Sequence, residues 1–140
     1  MNLVVDASVV AKWYFPEKGS TAATVLLAEA VAGVHRLLAP DLLVAELTNI
    51  VWKKVQLDEC RPDEARAILA FFETDRPRLI ESSTLAVRAL ELALRLGHPV
   101  YDCLYVAAAI DWDARLVTAD RALARAAAVI LAEVEWVEGG

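Results

Sequence analysis

Basic residues are the minority charge in this chain: 14 lysines and arginines stand against 20 aspartates and glutamates in 140 residues, for a formal net charge of −6. That balance argues against broad electrostatic capture of nucleic acid, which takes a basic patch or stripe. A nucleic-acid substrate would need metal ions or a few local cations. Cysteine is scarce as well. Cys60 and Cys103 lie far apart without paired metal spacing, so they read as two small buried side chains of a reduced, cytoplasmic protein. His35 and His98 have no partner at metal-ligand spacing, and neither receives a catalytic role. Charges such as Glu29 and Asp111 interrupt every apolar stretch before it reaches the length of a membrane span. Asp6, Lys12 and Glu17 occupy the region a secretory leader would use, so the N-terminus reads as mature structure. The expectation is a soluble protein with no membrane partner. Repeats, linkers and low-complexity tracts are also missing, and residues 1–140 read as one domain with a substantial core, given 58% hydrophobic content.

What is present is a series of short apolar strands separated by helices. Leu3-Val4-Val5 reads as a buried central strand of a parallel sheet, and Asp6 follows it directly. Ser8 is the expected cap of a short helix through Trp13 that Pro16 and Gly19 end, and Ser20 the cap of a second helix running to Gly33. His35 to Ala39 is the second strand. A helix from Leu42 to Leu57 follows, with Leu43, Leu47, Ile50 and Val51 on its apolar side and Asp41 as cap. Asp63 is expected to cap the next helix, and Leu79-Ile80 forms a third strand. Ser83 or Thr84 opens a helix closed by Gly97 and Pro99, and another begins near Tyr101-Asp102. Residues 115–118 form a fourth strand, and Val134 to Val137 an edge strand. Helices between strands imply right-handed crossovers, hence a three-layer α/β/α fold around a mostly parallel sheet of four to five short strands.

Four acids then stand at comparable places. Asp6 and Asp120 each follow an apolar strand, Glu46 lies early in a helix among apolar neighbours, and Asp102 lies at a helix start. Taken singly, Asp102 and Asp120 read as caps and Glu46 as a solvated residue. Taken together, they gain a different meaning if the first and fourth strands are neighbours, because ligands bind beyond the carboxyl ends of parallel strands. Like charges about 4 Å apart repel by about 4 kcal/mol at an effective dielectric of about 20. Mg²⁺ or Mn²⁺ would remove that cost, and such ions activate water and stabilise the departing oxygen of a phosphodiester. Ser8 and Thr118 are hydroxyls able to orient a carboxylate, although capping is the simpler account of Ser8.

Val4-Val5-Asp6-Ala7-Ser8, Pro40 to Glu46, Val100 to Tyr105 and Leu116 to Asp120 resemble, in order, the acidic motifs of PIN-domain nucleases. More narrowly, the chain resembles the VapC toxins of type II toxin–antitoxin pairs. The resemblance spans nearly the whole sequence, and four ordered motifs are far more specific than one. It implies that Asp6, Glu46, Asp102 and Asp120 are metal-binding and catalytic, with Ser8 and Thr118 supporting them. It further implies Mg²⁺-dependent endonucleolytic cleavage of RNA, inhibition by a small VapB-like antitoxin, and a homodimer. Cys103 stands where many members carry alanine, a departure that leaves the acidic set intact.

Lys12, Lys53, Lys54 and Arg61 are the candidate RNA phosphate contacts, with a solvated face as the plainer reading of the two lysines after Trp52. Trp13, Tyr14 and Trp52 are candidates for a groove that takes an antitoxin helix, although core packing explains most aromatics. Two phosphotransferase classes also place aspartate after the first strand. Haloacid-dehalogenase-like phosphatases need a second aspartate where this chain has Ser8, and receivers need an acceptor aspartate where it has Glu81-Ser82-Ser83. A non-catalytic PIN-like module and a PIN nuclease of RNA processing remain as alternatives.

Overall fold

The structure is a computed structural model that describes residues 1–138. Five strands form one sheet: β1 (Asn2–Val5), β2 (Arg36–Pro40), β3 (Arg78–Ile80), β4 (Arg115–Thr118) and β5 (Val134–Trp136). Their order is β3-β2-β1-β4-β5, and every pairing is parallel. The expected three-layer α/β/α architecture is present, and the sheet is wholly rather than mostly parallel. Seven helices connect the strands: α1 (Ala7–Ala11), α2 (Ser20–Val31), α3 (Leu42–Gln56), α4 (Pro62–Asp75), α5 (Ala86–Leu96), α6 (Val100–Asp111) and α7 (Arg121–Ala127). Each strand pair is parallel, so each connection must cross over, and helices supply that crossover.

The central position of β1 follows from its composition. Leu3, Val4 and Val5 are each fully buried, as a strand covered on both faces requires. The core around them takes Leu38 and Ala39 from β2, Leu116 and Val117 from β4, and Leu43, Leu47 and Val51 from α3. Helix α6 is buried along nearly its whole length, from Cys103 to Ala109. Its run of three alanines lets the helix axis approach the sheet, and only its two ends, Val100 to Asp102 and Ile110 to Asp111, reach the surface. Among the described residues no helix is long and apolar enough to cross a membrane.

Helix starts depart from the sequence expectation in an informative way. Asp6, not Ser8, caps α1, accepting the Val9 N–H at 3.2 Å, and α1 ends at Ala11 rather than Trp13. Gly19 precedes α2 with φ +86°, and a Cβ there would lie 2.0 Å from the Glu138 carbonyl oxygen. Ser20 is therefore inside the helix, where its hydroxyl accepts the Glu17 N–H and donates to Phe15 O. Asp41 does not cap α3, because its carboxylate accepts from the Ser82 hydroxyl and N–H instead. Helix α4 starts at Pro62 with Arg61 at the cap, and Asp63 sits in its first turn bonded to Arg66. Ser82–Thr84 is a short 3-10 turn that precedes α5, not the start of that helix. In each case another hydrogen-bond partner or a backbone requirement displaced the expected local cap.

Candidate active site

The pairing of β1 with β4 places Val5 opposite Val117, so the chain segments just past both strands leave the sheet side by side. Asp6 and Asp120 therefore share one edge, at the carboxyl ends of the strands. Asp6 is 5% exposed and both of its oxygens are engaged. Oδ1 accepts the Ser8 hydroxyl at 2.5 Å and the Val9 N–H, while Oδ2 accepts the Thr118 hydroxyl. The two hydroxyls also reach across to the β4 loop. Ser8 Oγ accepts the Ala119 N–H at 2.9 Å, and Thr118 Oγ1 accepts the Asp120 N–H at 3.0 Å. Ser8 thus acts as a bridge between β1 and β4 instead of a cap. Asp120 does cap α7, accepting the Ala122 and Leu123 N–H groups through Oδ1 at 2.9 and 3.2 Å.

The second pair of acids comes from α3 and α6. Glu46 Oε1 accepts the Tyr105 hydroxyl at 2.6 Å, and Asp102 Oδ2 lies 2.8 Å from His98 Nε2. Asp102 and Tyr105 are three apart on α6 and share one face, which carries the phenol into the interior and the carboxylate to its mouth. His98 lies four residues before Asp102. Sequence spacing had excluded it as a metal ligand, and the structure gives it a carboxylate partner instead; His35 similarly pairs with Glu29 at 2.5 Å. Tyr105 lies within the third motif of the sequence but received no role there. Its only sequence sign is the i, i+3 spacing to Asp102.

A common pattern emerges among the described residues. Glu46, Asp102 and Asp120 each have one oxygen hydrogen-bonded and the other without a protein partner. No lysine or arginine pairs with any of the four acids, although the protein forms such pairs freely elsewhere. The electrostatic result is strain on the ionised forms. Burial lifts the Asp6 carboxyl from 3.8 to about 6, against the pull of Ser8, Thr118 and Val9, and the Asp120 charge lifts it further. Burial also raises Glu46, opposed by the Tyr105 hydrogen bond and reinforced by Asp102. The neighbouring Cys103 thiol is raised by burial and by Asp102, so it stays protonated and unreactive. Among the described residues no three histidine, cysteine, aspartate or glutamate side chains form a compact ligand shell. The donors are nonetheless all hard carboxylate oxygens, the type that suits a divalent ion still carrying several waters.

The remaining candidates disperse. Lys12 is a correction: its side chain is 2% exposed, and Nζ bonds to Glu17 at 3.3 Å and to Lys18 O at 2.6 Å, which removes it from any surface RNA could touch. Lys53 is exposed, Lys54 is half-buried between Glu17 and Glu59 and stacked over Phe15, and Arg61 is exposed and paired with Glu64. Trp13 and Tyr14 pack against the core, with the Trp13 indole N–H donated to Ala23 O at 2.9 Å. Trp52 alone of the three aromatics is exposed, at 55%.

Fold and site together define a parallel α/β/α protein with two carboxylates, Asp6 and Asp120, side by side at the carboxyl edge of its sheet and no lysine or arginine paired with either among the described residues. The PIN domain family matches residues 3–129, and the chain belongs to that family. Ribonuclease VapC3 of Pyrobaculum aerophilum is 37% identical over 126 residues, covering 89% of this chain and 93% of that protein. Among solved structures, VapC20 of Mycobacterium tuberculosis, described as a sarcin-ricin loop cleaving toxin, superposes with a TM-score of 0.69 at 16% identity, covering 95% of this chain and 98% of that one. The VapBC2 structure from Rickettsia felis, bound to a DNA fragment from its promoter, matches with a TM-score of 0.59 at 17% identity over 86% of this chain and 88% of that one. At those identities the two structures establish the shared fold.

Proposed function

We propose that this protein is a Mg²⁺-dependent endoribonuclease that acts as the toxin of a type II toxin–antitoxin pair. One observation supports the reading: Asp6 and Asp120 share the carboxyl edge of the sheet, Glu46 lies near enough to Asp102 to feel its charge, and among the described residues no lysine or arginine pairs with any of the four. Such an arrangement is costly unless a cation joins it. Asp6, Glu46, Asp102 and Asp120 would hold Mg²⁺, with Mn²⁺ as a substitute. When bound, the ion supplies an activated water and charge neutralisation at the departing oxygen of a phosphodiester.

The chain's own residues prepare that chemistry. Ser8 and Thr118 fix both oxygens of Asp6 and tie them to the backbone that carries Asp120. Lys53, exposed and without an ion pair among the described residues, is the first candidate for RNA phosphates, with Arg61, exposed but held by Glu64, as the second. Trp52 offers an exposed apolar anchor on α3 for a VapB-like antitoxin helix. Val87, Leu90 and Leu94 form a stripe on the solvent side of α5, which we assign to a second copy in a homodimer.

The test is RNA end mapping with purified, antitoxin-free protein. Cleavage should require Mg²⁺ and disappear in EDTA and in Asp6→Asn. Cleavage that persists in either would sink the mechanism. If expression alone leaves growth unchanged and no small partner co-purifies, the toxin role fails and a ribonuclease of RNA processing takes its place.

A further inference from the structure

We propose that Tyr105 is a positioning residue of this site: its phenol fixes Glu46 through Oε1, so that Oε2 stays aimed and free for a divalent cation. The inference rests on the ribonuclease reading and concerns a residue outside the acid set.

Tyr105 is 1% exposed, among the largest fully buried side chains, and its hydroxyl is the only protein donor to Glu46 among the described residues. The contact joins α6 to α3 across 59 residues of sequence, so it is a tertiary restraint and not a local one. Glutamate has three rotatable bonds, and an unrestrained carboxylate there would sample several orientations. One hydrogen bond of 2.6 Å removes most of that freedom while leaving the second oxygen open.

The residue type matters. A tyrosine hydroxyl donates one hydrogen bond and carries no charge at neutral pH, its ordinary pKa being about 10. A lysine in its place would neutralise the acids and compete with the cation. A phenylalanine would fill the same volume but leave Glu46 unrestrained. His98 makes the corresponding contact to Asp102, and Ser8 with Thr118 to Asp6, so Tyr105 completes a pattern in which each acid is held from behind. Partners of that kind are worth about 10- to 100-fold in metal affinity.

The experiment uses purified full-length chain and Mn²⁺ alone, with affinity read by calorimetry or by the free-ion paramagnetic signal. Native protein should bind Mn²⁺. Tyr105→Phe should weaken binding at least tenfold and raise the Mg²⁺ concentration for half-maximal RNA cleavage by a similar factor, while circular dichroism stays native. In a Glu46→Gln background the same change should have no further effect on Mn²⁺ affinity. Affinity within twofold of native in Tyr105→Phe overturns the inference, as does an undiminished loss in the Glu46→Gln background. If the native chain binds no Mn²⁺, the ribonuclease reading falls first and this inference with it. The native arm therefore separates the two failures.

Discussion

The Thr118 hydroxyl donates to Asp6 Oδ2 from the neighbouring strand, and Thr118 Oγ1 itself accepts the Asp120 N–H at 3.0 Å. One fully buried side chain therefore sets the position of two acids. Thr118→Val keeps the shape and the preference for a strand but leaves both partners without their hydrogen bonds. The expected loss is about 1–3 kcal/mol of stability, since a buried group left unpaired bears its full desolvation penalty. Urea denaturation measures it as a lower midpoint at constant slope. Thr118→Ser should retain most of the midpoint, and an unchanged midpoint in Thr118→Val would mean the hydroxyl does nothing.

Asp6 gives the protein a pH dependence of known sign. Its carboxyl titrates near 3.8 when unfolded and near 6 in the fold. Below about pH 4 both states are protonated and burial has no ionic cost. As pH rises from there the unfolded chain releases its proton first, so stability falls, and the loss is complete once pH passes about 6. That displacement is worth about 3 kcal/mol. The measurement compares native protein with Asp6→Asn from pH 4.5 to 7.5 in EDTA, which cancels the other carboxylates. The native chain should lose stability relative to the variant as pH rises, and Mg²⁺ at pH 7.5 should restore it. A native-minus-variant difference that is flat with pH would refute the electrostatic account of Asp6.

Lys12 and Lys53 should separate cleanly. Lys12 is buried and paired with Glu17, so Lys12→Met should alter stability, by about 1–3 kcal/mol, without changing the salt dependence of RNA binding. Lys53 is exposed and forms no ion pair among the described residues, so Lys53→Ala should weaken RNA binding and flatten its salt slope at unchanged stability. Fluorescence anisotropy across a salt series, paired with thermal melts, reads both. A flattened salt slope in Lys12→Met would contradict the burial seen here.

Much of the fold was legible because the decisive signals were local. The β-branched run at Leu3-Val4-Val5 marked a strand covered on both faces, and helical periodicity fixed the spacing of the crossovers. The four acids stood out because Asp6 and Asp120 follow strands while Glu46 and Asp102 lie near the starts of helices. Capping was read poorly at Ser8 and Asp41 because their partners, Ala119 and Ser82, are distant in sequence, and at Ser20 and Asp63 because nearby Phe15, Glu17 and Arg66 engage those side chains instead. Lys12 was misread for a related reason. A lysine in a short helix normally reaches solvent, but here α1 is packed under α3 and the chain folds back to supply Glu17 and the Lys18 carbonyl. Tyr105 and His98 were invisible as site residues because their roles depend on contacts to acids, one of which is 59 positions away.

The α5 surface supplies the last prediction. Its inner side buries Ala89 and Leu92, while Val87, Leu90 and Leu94 stand 74, 52 and 77% exposed on the outer side at spacings of three and four. Apolar residues so arranged form one stripe along a helix, the shape a second helix packs against. In a two-fold dimer the same stripe serves both partners, so each substitution is felt twice. Burying a leucine is worth about 1.5–3 kcal/mol. Replacing it with a charge therefore removes more than enough to dissociate a micromolar dimer. Sedimentation should find native protein dimeric and both Leu90→Glu and Leu94→Glu monomeric, with far-ultraviolet circular dichroism unchanged because neither side chain enters the core. Cleavage by the monomers should persist, since all four acids and Tyr105 come from one copy. A Leu94→Glu chain that still sediments as a dimer would move the interface off α5.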